Sequence, residues 1–200
     1  GGGSDGKSKF LAFDSATGNQ VWAADRAMPN SWTSPIIAKT PGGDQLITAA
    51  NPFVIAYQPR DGKELWRAKC LSQDVGPSPV YRDGTVFLAN QYPAVTALPT
   101  DGSGQIDDEK FVWQNEDVEL PDTVSPLAIG DGLIVITSEG EMQCLDLKTG
   151  EPRWTHSLDA SCSSSPSLVG KLIYVIGKEG KGWVLEPGES DAKVVAESDL

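Results

Sequence analysis

The stretch CLDLKTGEPRW, Cys144 to Trp154, reads as two strand ends joined by a polar turn that closes on Gly150, with a tryptophan soon after. Near-copies of the same order occur twice more, as LAFDSATGNQVW from Leu11 to Trp22 and IAYQPRDGKELW from Ile55 to Trp66. One copy would be a hairpin. Recurrence at a near-fixed interval marks a repeat architecture and decides the fold before any single element is assigned.

Two markers measure the interval. Ser-Pro recurs at Ser34-Pro35, Ser78-Pro79, Ser125-Pro126 and Ser165-Pro166, in steps of 44, 47 and 40 residues. Trp22, Trp66, Trp113 and Trp154 keep pace, in steps of 44, 47 and 41. Between each Ser-Pro and its tryptophan lie short runs rich in Val, Ile, Leu and Tyr, punctuated by DG, EG and TG, as in PIIAK, QLITAA, FVIAYQ and ELWRAK. Such runs fit antiparallel hairpins. Proline heads the first strand, where a missing amide costs least, and glycine supplies the positive φ of the turns.

Four strands per unit, each unit too small for its own core, give an all-β fold: a β-propeller of four-stranded antiparallel blades. The spacing predicts one propeller fragment over 1–200. Two outer strands of a partial blade fall in 9–26, and blades in 34–69, 78–115 (with an acidic loop), 125–157 and 165–197. The Trp-Asp mark of WD40 blades is absent, since the four tryptophans precede Ala23, Arg67, Gln114 and Thr155.

Composition agrees: 21 Gly and 14 Pro among 200 residues favour turns over long helices. No apolar run is long enough to span a membrane, and the opening GGGSDGKSK lacks the apolar centre of a signal peptide. With 16 Lys and Arg against 28 Asp and Glu, the net charge of −12 repels phosphate backbones, so nucleic acid is not an expected partner. Cys70, Cys144 and Cys162 are odd in number and form no CxxC pair, which fits buried thiols and no disulfide framework.

LAFDSATGNQVW and CLDLKTGEPRW, each set beside Ser-Pro, resemble the quinoprotein-type (PQQ-like) β-propeller repeat. That repeat occurs in quinone-dependent dehydrogenases and in the barrel-assembly lipoprotein of bacterial outer membranes. The resemblance covers nearly the whole chain, with a longer third turn before Trp113 and Val194 or Val195 near the tryptophan position of the last unit. It implies that Trp22, Trp66, Trp113 and Trp154 dock on glycine turns such as Gly18, Gly62 and Gly150. It implies a parent ring of seven or eight blades, so that the remaining blades of a longer chain, or a second copy, complete it. It also implies export to the periplasm or cell surface.

The dehydrogenases of that family carry a vicinal Cys-Cys pair over the quinone and acidic and Asn ligands for calcium, and neither set occurs here. The expectation is therefore no cofactor, no metal site and no catalytic residue. DGSGQIDDE, Asp101 to Glu109, lacks the glycine and glutamate that a calcium loop needs at its sixth and twelfth positions, where Ile106 and Val112 stand. His156 reads as a strand residue, and GKEGKG, Gly177 to Gly182, as a hairpin turn. Binding chemistry is left to the loops that lead into the Ser-Pro strands: MPNSWT, SQDVG, ELPDT and DASCSS. There Trp32, Asp74 and Asp122 are the candidate partner-binding residues, an aromatic anchor with a negative rim. The expected function is a non-catalytic interaction scaffold for a protein or glycan. The alternatives are part of a quinone-dependent oxidoreductase whose cofactor residues lie elsewhere, and a sensor domain fused to another module.

Overall fold

The computed structural model describes residues 8–26, 28 and 31–199. Pro29 and Asn30 of the MPNSWT loop lie outside the described residues, as do the first seven. The hairpin of β1 (Ser8–Phe13) and β2 (Gln20–Arg26) stands first. Four antiparallel sheets follow in chain order. The first comprises β3 (Ile36–Thr40), β4 (Gly43–Ala50), β5 (Phe53–Tyr57) and β6 (Glu64–Lys69). The second comprises β7 (Val80–Arg82), β8 (Thr85–Ala89), β9 (Val95–Pro99) and, after a short insertion strand β10 (Gly104–Ile106), β11 (Trp113–Asn115). The third comprises β12 (Leu127–Ile129), β13 (Gly132–Ile136), β14 (Glu141–Asp146) and β15 (Pro152–Ser157). The fourth comprises β16 (Ser167–Val169), β17 (Leu172–Ile176), β18 (Lys181–Pro187) and β19 (Ala192–Asp199). Each sheet is a blade of a β-propeller, and the first strands β3, β7, β12 and β16 lie beside one another. Among the described residues no helix is long and apolar enough to cross a membrane.

The core sits between blades, and the period-2 alternation of each strand builds it. In β13, Leu133 and Val135 pack with Phe87 and Ala97 of the second blade, while Ile134 and Ile136 pack with Ile173 and Leu185 of the fourth. Central strands are consequently buried on both faces, which is why they read as continuous apolar runs. The outermost sheets are buried on one face only. Phe13 and Val21 at one end, and Ile176 and Val195 at the other, are about half exposed or more, at 57%, 60%, 48% and 50%.

The CLDLKTGEPRW stretch explains itself residue by residue. Asp146 Oδ1 accepts the amides of Lys148 and Thr149, Thr149 Oγ1 accepts the amide of Glu151, and Gly150 turns the chain at φ +74°. DSATGN repeats this with Asp14, Thr17 and Gly18. Asp and Thr hold such turns because their short side chains reach the backbone two or three residues on.

The acidic insertion does more than loop out into solvent. β10 pairs in parallel with the outer strand β6 of the preceding blade, Gly104 opposite Trp66 and Ile106 opposite Ala68, and Ile106 is buried in the same cluster as Trp66. It thereby covers an edge strand whose unpaired amides would otherwise face solvent.

Candidate functional site

The tryptophans knit neighbouring blades. The Trp22 ring lies over Gly62 of the next blade, where a β-carbon would stand 2.6 Å from the ring, and its Nε1–H donates to the Pro59 carbonyl at 3.0 Å. Trp113 lies over Gly150 in the same way and donates to Leu147 at 2.9 Å, and Trp154 donates to Gly188 at 3.0 Å. Trp66 differs. Its Nε1–H donates to the Gln45 side chain at 2.9 Å, and the Gln45 amide donates on to the Thr100 carbonyl of the next blade at 2.8 Å. Gly18 stands in the same turn geometry with nothing described within 4 Å of its missing β-carbon. In the last blade the strand register puts Ala196 at the tryptophan place, with Val194 and Val195 just before it.

Ser-Pro has a role that hairpin chemistry does not reveal. The amide of Ser34 donates to Ser78 Oγ at 2.8 Å, that of Ser78 to Ser125 Oγ at 2.9 Å, and that of Ser125 to Ser165 Oγ at 2.9 Å. This ladder steps from blade to blade at the start of the innermost strands and sets the spacing of the loops above it.

Those loops form the candidate site. Gly76 lies so close to the next loop that a β-carbon would stand 2.6 Å from the Asp122 carbonyl oxygen, and Val75 and Val124, beside Asp74 and Thr123, are buried in two different core clusters. Trp32, Asp74, Gly76, Asp122 and Thr123 line one cavity of about 430 Å³. Trp32 is 67% exposed. Its backbone is nonetheless fixed: the Trp32 amide donates to the Val75 carbonyl at 3.1 Å, and the hydroxyls of Ser31 and Thr33 on either side both donate to the Ala49 carbonyl, at 2.7 and 2.8 Å. Asp74 and Asp122 are exposed, and neither makes an ion pair among the described residues. Gln73, just before Asp74, holds the left-handed conformation at φ +56°, an uncommon state that aims the loop.

A larger cavity, about 780 Å³, opens on the other face between the third and fourth blades. Its two cations each have a carboxylate. Arg153 bridges Asp131 at 2.7 Å and Asp146 at 2.5 Å, and Lys171 pairs with Glu186. The guanidinium holds the Asp146 carboxyl down at about 2 and lowers Asp131 as well. A carboxyl depressed in the folded state stabilises above its unfolded pKa near 4, and that contribution is lost as pH falls from about 4 towards 2. Arg153→Met should therefore lower the melting temperature at pH 7 and flatten its decline between pH 4 and 2; melts recorded across that range check this.

The thiols do not form a redox site. Cys70, Cys144 and Cys162 are free and buried, and burial pushes Cys70 up to about 12 and Cys144 up to about 11. The native protein should leave all three unmodified by a thiol reagent at pH 8 and react at three sites once unfolded; rapid labelling of the native state would contradict the burial. His156 Nδ1 lies 3.0 Å from Asp191 Oδ1, a contact that lowers the Asp191 carboxyl and ties the third blade to the last hairpin of the fourth. Among the described residues no three His, Cys, Asp or Glu side chains are grouped to hold a metal ion.

The family model for outer membrane protein assembly factor BamB matches residues 6–181. The curated BamB of Burkholderia pseudomallei (strain K96243) is 26% identical over 184 residues, which cover 85% of this chain and 44% of that protein, so the chain spans less than half the length of this relative. Among solved structures, BamB from Moraxella catarrhalis superposes with a TM-score of 0.70 at 18% identity, over 97% of this chain and 58% of that one. The computationally designed Ika8 protein does so at 0.71 and 10% identity, over 98% and 57%. The quinohemoprotein alcohol dehydrogenase ADHIIG of Pseudomonas putida HK5 reaches 0.63 at 11% identity, over 85% and 34%. At such identities the structural likenesses speak for the fold, whereas the family match spans most of the sequence: the chain belongs to the PQQ-like repeat family of the outer membrane protein assembly factor BamB.

Proposed function

We propose that the chain is part of a non-catalytic scaffold for outer-membrane protein assembly, and that it engages a protein partner on the loop face around Trp32, Asp74 and Asp122. One observation carries this reading: an indole that is 67% exposed sits on a backbone pinned at three points, over a cavity. A rigid exposed aromatic loses little conformational entropy on binding, which is how such residues become anchors of interfaces. The family's role supports a protein as the occupant, and nothing in it supports a glycan. The chain works in the periplasm or at the cell surface. The half-exposed apolar faces of its two end sheets fit further blades of a seven- or eight-bladed ring, the family's greater length being consistent with that.

The oxidoreductase reading rests on a fold likeness at 11% identity and finds no matching cofactor residues. The test is a photo-reactive benzoylphenylalanine at position 32, with a control at position 131 on the opposite face, irradiated in cell-envelope preparations. A discrete protein adduct from position 32 supports the proposal, and adducts from position 131 alone overturn it.

A further inference from the structure

The open cavity under Trp32 differs from the larger one on the other face in a way that defines its ligand. Around Arg153 and Lys171 every cation already has a carboxylate, whereas the rim at Trp32 presents two carboxylates without a cation among the described residues. Flat aromatic surface, uncompensated negative charge and a volume of about 430 Å³ coincide there. A guanidinium suits all three at once. It stacks on the indole face, is more weakly hydrated than an ammonium, and offers several N–H donors in a planar fork to carboxylates on either side. The loops do not need to move for it, because the serine ladder and the close approach of Gly76 to Asp122 fix their spacing.

We infer that the Trp32, Asp74 and Asp122 cavity takes an arginine side chain from an exposed segment of the protein partner, with the guanidinium over the indole and between the two carboxylates. The inference rests on the proposed partner-binding role of this face and names the chemistry it reads. Neither an acidic nor a purely apolar segment meets that chemistry. The chain's net charge of −12 adds a long-range pull on a basic segment, one that salt screens.

The probe is a short peptide, acetyl-Gly-Ser-Arg-Ser-Gly-amide, titrated into the intact 15N-labelled protein, with the Trp32 indole N–H resonance identified from a Trp32→Phe spectrum. The expected result is a saturable shift of that resonance, weaker with lysine in place of arginine and absent with glutamate. Affinity should fall at least tenfold in the Asp74→Asn/Asp122→Asn double variant and several-fold between 50 and 500 mM salt. Both carboxylates are exposed and make no ion pair among the described residues, so the double variant should melt at the wild-type temperature, which separates lost recognition from lost folding. No shift near Trp32, or a shift that survives neutralisation of both aspartates, overturns the inference. A protein adduct from position 32 combined with a negative arginine titration would leave the scaffold reading standing and remove this one. Arginine binding combined with adducts from position 131 alone would leave a guanidinium site on this face and overturn its assignment to the protein partner.

Discussion

Trp66→Ala should destabilise the chain by about 3 to 5 kcal/mol, the range for truncating a large buried aromatic, and lower its melting temperature by roughly 10 °C. Trp66 is fully buried between the first and second blades, in one cluster with Val54, Val86, Leu98 and the insertion residue Ile106. Truncation opens a cavity there and also breaks the relay from Trp66 through Gln45 to Thr100, so that a buried amide loses one of its partners. Trp66→Phe should recover most of the packing and none of the relay, falling between the two. Differential scanning calorimetry of the three proteins checks the order; a Trp66→Ala melt within 2 °C of wild type would contradict this packing.

Gly150→Ala should cost about 3 kcal/mol, and Gly18→Ala in the same chain only about 1. The two glycines hold nearly the same conformation, φ +74° and +73°, so the backbone strain of adding a β-carbon is common to both. At Gly150 that carbon would also stand 2.5 Å from the Trp113 ring, and the ring cannot slide freely because its Nε1–H is bonded to Leu147 and Asn115 donates to the Gly150 carbonyl. At Gly18 nothing described stands within 4 Å. The difference between the two variants, read from urea denaturation, isolates the contact between blades from turn strain. Equal losses would mean that the indole contributes nothing beyond the turn.

What could be read from the sequence was whatever repeats. The tryptophans, the glycine turns and Ser-Pro announced blades because three or four copies sit in step, and the apolar runs between them have the strand period. The serine of Ser-Pro was visible yet unexplained: its invariance within the chain was a signal, but only the geometry shows its hydroxyl receiving the amide of the blade before. Single-copy features were harder. β10 is three residues flanked by glycines and acids, with Ile106 as its one apolar member, and its partner Trp66 lies far back in the chain; no local pattern encodes a parallel pairing of that kind. Gln45 gave a weak signal as a polar residue in QLITAA, and the Arg153 network none at all. For the candidate site, the position of Trp32 ahead of Ser-Pro marked it as different from the other tryptophans. Its joining with Asp74 and Asp122 at one cavity depends on how loops from three blades converge, which spacing alone does not specify.

The scaffold role is tested by placing Trp32→Ala in the protein as its own organism makes it and measuring the amount of outer-membrane β-barrel protein. The Trp32 side chain is largely exposed and its amide, which bonds to Val75, is kept in the variant, so the variant should accumulate and melt like wild type, within about 0.5 kcal/mol. Outer-membrane protein should fall towards the level of a strain lacking the gene. Wild-type levels in cells carrying a stable Trp32→Ala protein would contradict it.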